Sequence, residues 1–115
     1  MIKVDIFRKN NEIYKFNVTG HADYAEEGSD IVCSAVSVLV INTINAIETF
    51  TDEAVKAEAD GVNGGFINYC LTDIEKGKKS HDAQLLLETM VLGLKSIENE
   101  YCRYIKRYDK GGRTQ

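Results

Sequence analysis

Hydrophobic and polar residues alternate along the first part of the chain. Across residues 2–8, isoleucine and valine are separated by polar residues, which is the period of a half-buried β-strand. A second alternating run at residues 14–18 follows the polar segment Lys-Asn-Asn at residues 9–11. Two alternating runs joined by a short polar turn predict a β-hairpin.

The pattern then changes from strand to helix. Residues 20–29 are small, polar and bounded by glycine, so they are predicted to form a loop. Residues 30–50 have apolar side chains at helical spacing, with Ser29 or Asp30 as the N-cap. The run at residues 38–41 is apolar on all sides, which predicts that this helix is buried on more than one side.

The second half repeats this order. Residues 55–59 and 66–71 are predicted strands, joined by a glycine-rich turn at residues 60–65. An amphipathic helix follows from Ser80 to about Asn99. Its predicted inward-facing side chains are Leu86, Met90, Leu94 and Ile97.

The last regular segment fits two interpretations. The spacing of residues 101–108 suits the end of a helix, whereas their tyrosine, cysteine and isoleucine content suits a strand, which we favour. The order ββαββαβ then predicts an α+β fold with a mixed or antiparallel sheet and two main helices packed on it. We expect one domain over residues 1–109 and a flexible tail over residues 110–115.

Composition restricts the class of partner and the compartment. The 115-residue chain has 14 Lys and Arg against 18 Asp and Glu, a net charge of −4. This balance argues against direct binding of nucleic acid and leaves room for a basic protein partner. We expect no signal peptide, no membrane span and a cytoplasmic location. The three cysteines form no CxxC pair, which argues against structural zinc or a disulfide framework.

One cysteine and one histidine are placed where they could do chemistry together. His21 lies in the predicted loop, twelve residues before Cys33 in the first turn of the first helix. The free N–H groups and partial positive charge of a helix N-terminus favour a thiolate, and Gly20 and Gly28 would let the loop fold back. A thiolate beside an imidazole is the working pair of a cysteine hydrolase. An ordinary buried cysteine and an unrelated loop histidine remain the plainer interpretation of these residues alone.

The same stretch resembles the signature of the ribosomal-processing cysteine protease family Prp. The matching letters are GHA at residues 20–22, glycine at 28, DIVC at 30–33 and AVS at 35–37, and the resemblance extends over essentially the whole chain. It implies a cytoplasmic homodimer that removes the N-terminal extension of the large-subunit ribosomal protein L-twenty-seven. Cys33 is then the nucleophile and His21 the base, and family substrates carry a hydrophobic segment with an aromatic end before the cleaved bond.

Five further residues are candidates for supporting roles: Gly20, Tyr24, Asp30, Ser34 and Ser37. Asp30 either caps the helix or orients His21, and capping is the commoner role of aspartate there. The backbone N–H groups of Cys33 and Ser34 are candidate oxyanion donors. Ser37 lies one turn beyond Cys33 and either lines the site or packs against a neighbouring helix. Tyr24 belongs to the acidic loop 22–29, which we expect to be mobile and to close over substrate.

The remaining chemical groups favour structural roles. Cys70 and Cys102 are predicted to be packing residues, and His81 to be solvated at the start of the second helix. No spacing supports a metal site, and no cofactor is expected. Two other functions stay open: a non-enzymatic ribosome-associated assembly protein, and a thiol redox sensor, for which Cys70 would be the nearest second cysteine.

Overall fold

The secondary structure follows the predicted order with one additional short helix. A computed structural model of the protein describes residues 1–20, 29–60 and 65–111, without the side chains of residues 29 and 30. The elements are β1 (Ile2–Lys9), β2 (Glu12–Thr19), α1 (Ser29–Phe50), β3 (Val55–Asp60), β4 (Phe66–Leu71), α2 (Thr72–Glu75), α3 (His81–Glu100) and β5 (Ile105–Lys110).

The described strands form one five-stranded mixed sheet. Their order is β3-β4-β2-β1-β5; β1 pairs parallel to β5, and every other pairing is antiparallel. The predicted α+β fold with a mixed sheet is therefore confirmed.

The β1–β2 hairpin turns through two asparagines. Asn10 and Asn11 have φ angles of 54° and 68°. Positive φ at both central residues is the backbone of the tight turn that matches strand twist, and asparagine tolerates it better than most residues. This confirms the predicted turn and sets the register Lys9 opposite Glu12.

The hydrophobic core lies on one face of the sheet only. Strand residues such as Val4, Ile6 and Phe16 point to this face and are fully buried. α1 and α3 cover it and contribute the buried side chains Val32, Val36, Val40, Ile47, Ala83, Leu87, Met90, Val91 and Leu94. In α3 the buried stripe is therefore shifted from the predicted one: Met90 and Leu94 are buried, whereas Leu86 and Ile97 are half-buried. The protein is a two-layer structure, with helices on one side and an open sheet face on the other.

The prediction that α1 is buried on more than one side is confirmed only in part, because one apolar side of the helix stays exposed. Val38 and Ile41 are 69% and 49% exposed, and Phe50 is 73% exposed. The helix packs on the sheet and on α3, which leaves an apolar outer face. By length and composition alone, Ile31–Phe50 would suffice to cross a membrane, with a mean hydropathy of 1.8, contrary to the expectation that no segment is apolar enough. Val32, Val36, Val40 and Ile47 on one face of this helix belong to the hydrophobic core.

Several predicted boundaries also shift. α1 begins at Ser29, so Asp30 lies inside its first turn. A turn occupies residues 102–104, and β5 begins only at Ile105. The strand runs to Lys110, which pairs with Phe7, so the first residue assigned to the tail belongs to the sheet. The predicted flexibility of residues 112–115 falls outside the described part of the chain.

A buried arginine ties β1 to α3 and β5. The Arg8 side chain is 1% exposed, and its Nη1 and Nη2 donate to the two carboxylate oxygens of Glu88 at 2.7 and 3.0 Å. Its Nε donates to Oδ1 of Asp109 at 2.8 Å. The hydrogen bond to Glu88 raises the pKa of Arg8 above its ordinary range. A guanidinium bonded in this bidentate way holds three separate elements in one geometry.

Replacing Arg8 should destabilise the fold. Arg8→Ala removes the hydrogen bonds to the partly buried carboxylates of Glu88 and Asp109, and hydrogen bonds to charged groups are each worth about 1.5–3 kcal/mol. We expect a loss of about 3 kcal/mol in the free energy of unfolding, measured by urea denaturation. The control Lys79→Ala removes an exposed charge and should change the free energy of unfolding by less than about 0.5 kcal/mol. Equal stabilities of the two variants would contradict this role.

Candidate active site

Cys33 lies close to the N-terminus of α1 and at the edge of the core. It is the fifth residue of the helix, is half-buried and packs against the core cluster. Its neighbours Val32 and Val36 point into the core, which orients this part of the helix against the sheet. Helical side chains lean towards the N-terminus, so the thiol is directed to the end where backbone N–H groups have no partner within the helix.

A groove of about 370 Å³ borders Cys33. Its walls come from α1 and from the ends of four strands. The larger apolar side chains that line it are those of Ile2, Val18, Val36, Ile41, Phe66 and Ile67. Such a lining beside a thiol suits the hydrophobic side chains of an extended peptide.

Gly20 is required where β2 ends and the loop towards α1 begins. Its φ is +83°, and a Cβ there would collide with the carbonyl oxygen of Met1. Gly20 also lines the groove. The sequence argument for a glycine at this reversal is therefore supported by both the backbone angle and the close approach of the N-terminal strand.

The groove also contains an aspartate that the sequence reasoning missed. Asp60 ends β3 opposite Phe66 and lines the groove, as does the other hairpin residue Ile67. These residues lie far from Cys33 in sequence, and only the pairing of β4 with β2 brings them there. Their alternation indicated a strand, but a strand pattern does not reveal which element it will face.

The predicted supporting residues are placed as follows. Ser37 is exposed and lines the groove with Cys33, whereas Ser34 is exposed but is not among the described lining residues. His21 and Tyr24, with the proposed closing of loop 22–29, lie outside the described part of the chain. The backbone of Asp30 is in the first turn, but its side chain is not described, so its role stays a prediction.

The start of α1 at Ser29 changes the expected oxyanion donors. In a regular helix each N–H donates to the carbonyl four residues earlier. This engages the N–H groups of Cys33 and Ser34 with the carbonyls of Ser29 and Asp30. The N–H groups of residues 29–31, one turn before the thiol, have no partner within the helix, and they are the better candidates.

The other cysteines lie away from the groove. Cys70 is on the sheet face opposite the helices, between Lys15 and Lys56 in the strand register. Burial raises the pKa of its thiol, with a further contribution from Glu75. Its position on the far side of the sheet argues against Cys70 as a resolving partner for Cys33.

Two remaining predictions have different outcomes. Cys102 is exposed, so its assignment as a packing residue is wrong; it lies in the turn before β5 rather than within a strand. His81 is solvated as predicted, with Nδ1 3.1 Å from Asp82 Oδ1 and a side-chain exposure of 86%. Within residues 1–20, 31–60 and 65–111, no group of three His, Cys, Asp or Glu side chains is arranged to hold a metal ion.

Comparison with known proteins decides the family. The model of the family "Cysteine protease Prp" matches residues 1–106. The chain belongs to the Prp family of cysteine proteases. The ribosomal processing cysteine protease Prp of Bacillus subtilis is 32% identical over 102 residues, covering 88% of this chain and 90% of the relative. That of Staphylococcus aureus is 36% identical over 107 residues, covering 92% and 96%.

Solved Prp structures share the fold. The Staphylococcus aureus protease in complex with a substrate peptide superposes with a TM-score of 0.84 at 33% identity, covering 96% of this chain and 100% of that one. The same protease with a covalently linked product peptide gives a TM-score of 0.80 at 33% identity, with the same coverage. This Prp family member therefore has the fold of a cysteine protease for which a covalent product complex is known.

Replacing Gly20 should disturb the groove through the backbone. Gly20→Ala combines an unfavourable positive φ with contact at the Met1 carbonyl, so we expect a loss of about 1–2 kcal/mol in stability, together with lower peptidase activity. Gly77 has a φ of +109° and nothing near its missing Cβ. Gly77→Ala is thus the matched control: it should cost similar backbone strain but leave peptidase activity per folded molecule intact. An active, fully stable Gly20→Ala enzyme would contradict the role assigned to this glycine.

Proposed function

We propose that this protein is an endopeptidase that removes the N-terminal extension of the ribosomal protein L-twenty-seven, and that Cys33 and His21 form its catalytic pair. The observation that carries the proposal is the position of Cys33, beside an apolar groove and near the start of α1. The peptide complexes of the Staphylococcus aureus relative support a peptide substrate. The sequence places His21 directly after Gly20, which itself lines the groove.

The reaction needs only groups that this chain supplies and water. His21 takes the thiol proton of Cys33, and the sulfur attacks the carbonyl carbon of the cleaved peptide bond. The tetrahedral intermediate collapses with breakage of the C–N bond, while His21 returns the proton to the leaving amine. Water, deprotonated by His21, then hydrolyses the thioester, which releases the carboxyl product and restores the thiol.

The first turn of α1 stabilises the oxyanion in this scheme. The N–H groups of residues 29–31 lie at the positive end of the helix dipole. They provide donors towards the negative charge that develops on the carbonyl oxygen, and one such donor typically contributes about 3 kcal/mol to transition-state stabilisation.

The groove sets the preferred substrate segment. Phe66, Ile67 and Val18 offer apolar contacts to the hydrophobic residues before the cleaved bond. Cytoplasmic L-twenty-seven precursor is the proposed substrate, and its maturation links the activity to ribosome assembly.

Substitution of either catalytic residue should abolish cleavage without unfolding the protein. We expect Cys33→Ala, Cys33→Ser and His21→Ala each to lower kcat/KM at least about 1,000-fold, because removal of one member of such a pair disables the unit. The assay is mass spectrometry of the organism's own extended L-twenty-seven protein, with melting curves as the folding control.

The matched control uses the cysteines away from the groove. Cys70→Ser and Cys102→Ser should cleave the precursor at rates close to that of the original protein. Full activity of Cys33→Ala would refute the assignment of the nucleophile. No cleavage of the precursor by an intact, folded protein would refute the proposed substrate.

We further propose that the protein is a homodimer formed through the outer face of its helices. Residues 31–47 contain no charged side chain, yet Ile31 and Val38 are 61% and 69% exposed. On α3, Leu85 and Leu92 are 59% and 66% exposed. The two helices pack against each other where Leu39 lies next to Gly93, so their exposed apolar residues belong to one helix layer. Exposed apolar patches of this kind mark association surfaces.

A charge at this patch should separate the subunits. Val38→Asp should convert a dimer into a monomer of 12.9 kDa, because an unpaired carboxylate in an apolar interface is strongly unfavourable. Ala57→Asp, on the exposed edge strand β3, is the control and should remain dimeric. Light scattering after gel filtration measures the mass. A monomeric original protein, or a dimeric Val38→Asp variant, would contradict this interface.

A further inference from the structure

The sheet face opposite the helices carries a set of side chains that the protease site does not use. Strand alternation and register place these residues together on it. We call this surface the open face, and its principal residues are Lys3, Phe7, Lys15, Lys56, Lys106, Tyr108 and Lys110. The five lysines come from four different strands, so only the folded chain gathers them.

Most of these lysines are available to an external anion. Within the described part of the chain, Lys3, Lys15, Lys56 and Lys106 form no ion pair. Lys110 is the exception, with its Nζ 3.0 Å from Oδ1 of Asp5. That contact is an ion pair without good hydrogen-bond alignment, since the same oxygen has no hydrogen-bond partner.

Aromatic rings alternate with the lysines. The Nζ of Lys3 lies 5.4 Å from the centre of the Tyr108 ring, which is 41% exposed. Phe7 has Lys15 and Lys110 at 5.2 and 5.3 Å from its ring centre. Rings with cations beside them offer flat apolar surfaces next to positive charge.

The acidic groups of the open face lie mainly on one side. They are Asp5, already paired with Lys110, Glu58 and Asp60 on the edge strand β3, and Glu75 of α2, whose Oε1 lies 3.8 Å from Sγ of Cys70. The part of the face formed by β5, β1 and β2 therefore carries Lys3, Lys15, Lys106 and Lys110 against Asp5 alone. This surface is therefore locally positive, although the whole chain has a net charge of −4.

We propose that the open face binds single-stranded RNA. Lysines would contact phosphates, and Tyr108 and Phe7 would stack with unpaired bases, which is how other open sheet faces bind RNA. Asn68 lies in the middle of the face, opposite Asn17, and its side-chain amide can both donate to and accept from base edges. An acidic protein would use the lysines but not this combination of rings and an amide.

None of the lysines and aromatic rings named for this surface lines the protease groove. Cys33 lies on the helix side of the sheet, whereas the open face points the other way. RNA binding would let the enzyme engage an RNA-containing particle while the groove remains free for peptide. The proposal does not depend on the identity of the protease substrate.

The test is the salt dependence of RNA binding by the intact protein. The probe is a fluorescent, mixed-sequence, 12-nucleotide single-stranded RNA, with fluorescence anisotropy measured between 50 and 200 mM salt. The triple variant Lys3→Gln/Lys56→Gln/Lys106→Gln should bind the RNA about tenfold more weakly. The slope of log K, the association constant, against log salt should fall by about 2, since each phosphate contact contributes about 0.7 to this slope. The control Lys76→Gln/Lys79→Gln/Lys95→Gln removes the same charge elsewhere and should stay within about twofold of the original protein.

Aromatic stacking is tested separately. Tyr108→Ala should weaken binding about tenfold, and Tyr108→Phe should restore it, because stacking needs the ring and not the hydroxyl. A polyglutamate peptide of equal charge should compete poorly. Any one of four results would overturn the proposal. These are no RNA binding at 50 mM salt, equal losses of affinity in the two triple variants, unchanged RNA affinity of Tyr108→Ala, and equally strong competition by polyglutamate. Both lysine triples should cleave free substrate peptide normally, so the outcome is independent of the protease assignment.

Discussion

Burial of a single face of the sheet is the constraint on which the rest of the structure depends. Val4, Ile6 and Phe16 face the helices and are fully buried. Because both long helices cover this one face, the start of α1 places Cys33 beside a groove that is also lined by residues from the ends of the strands. Among the described residues, the same arrangement leaves two surfaces uncovered: the apolar outer face of the helices and the lysine-bearing open face.

Local patterns predicted the elements well because they depend on neighbouring residues. Alternation in β1 and the asparagine turn at Asn10 and Asn11 led directly to the hairpin. The helical spacing after residue 29 led to α1 and to the position of Cys33 near its start. The pairing of GHA with DIVC carried the family assignment, which the family model confirms.

Features that depend on distant contacts were not accessible to the same reasoning. An apolar helix predicts burial but does not reveal which of its sides the rest of the chain covers, which is why the exposure of Val38 was missed. Asp60 and Phe66 reach the groove through the pairing of β4 with β2, a register that no local pattern specifies. The lysines of the open face are scattered along the sequence, and net charge hides their grouping.

The central claim is that Cys33, at this groove, is the attacking group. The most direct measurement is intact-protein and peptide mass spectrometry after reaction with a substrate-derived peptide chloromethyl ketone, whose chloride a thiolate displaces. The account predicts one adduct per chain, located on Cys33, although Cys102 is the more exposed thiol. An adduct on Cys102 or Cys70 instead, or none at all, would contradict it.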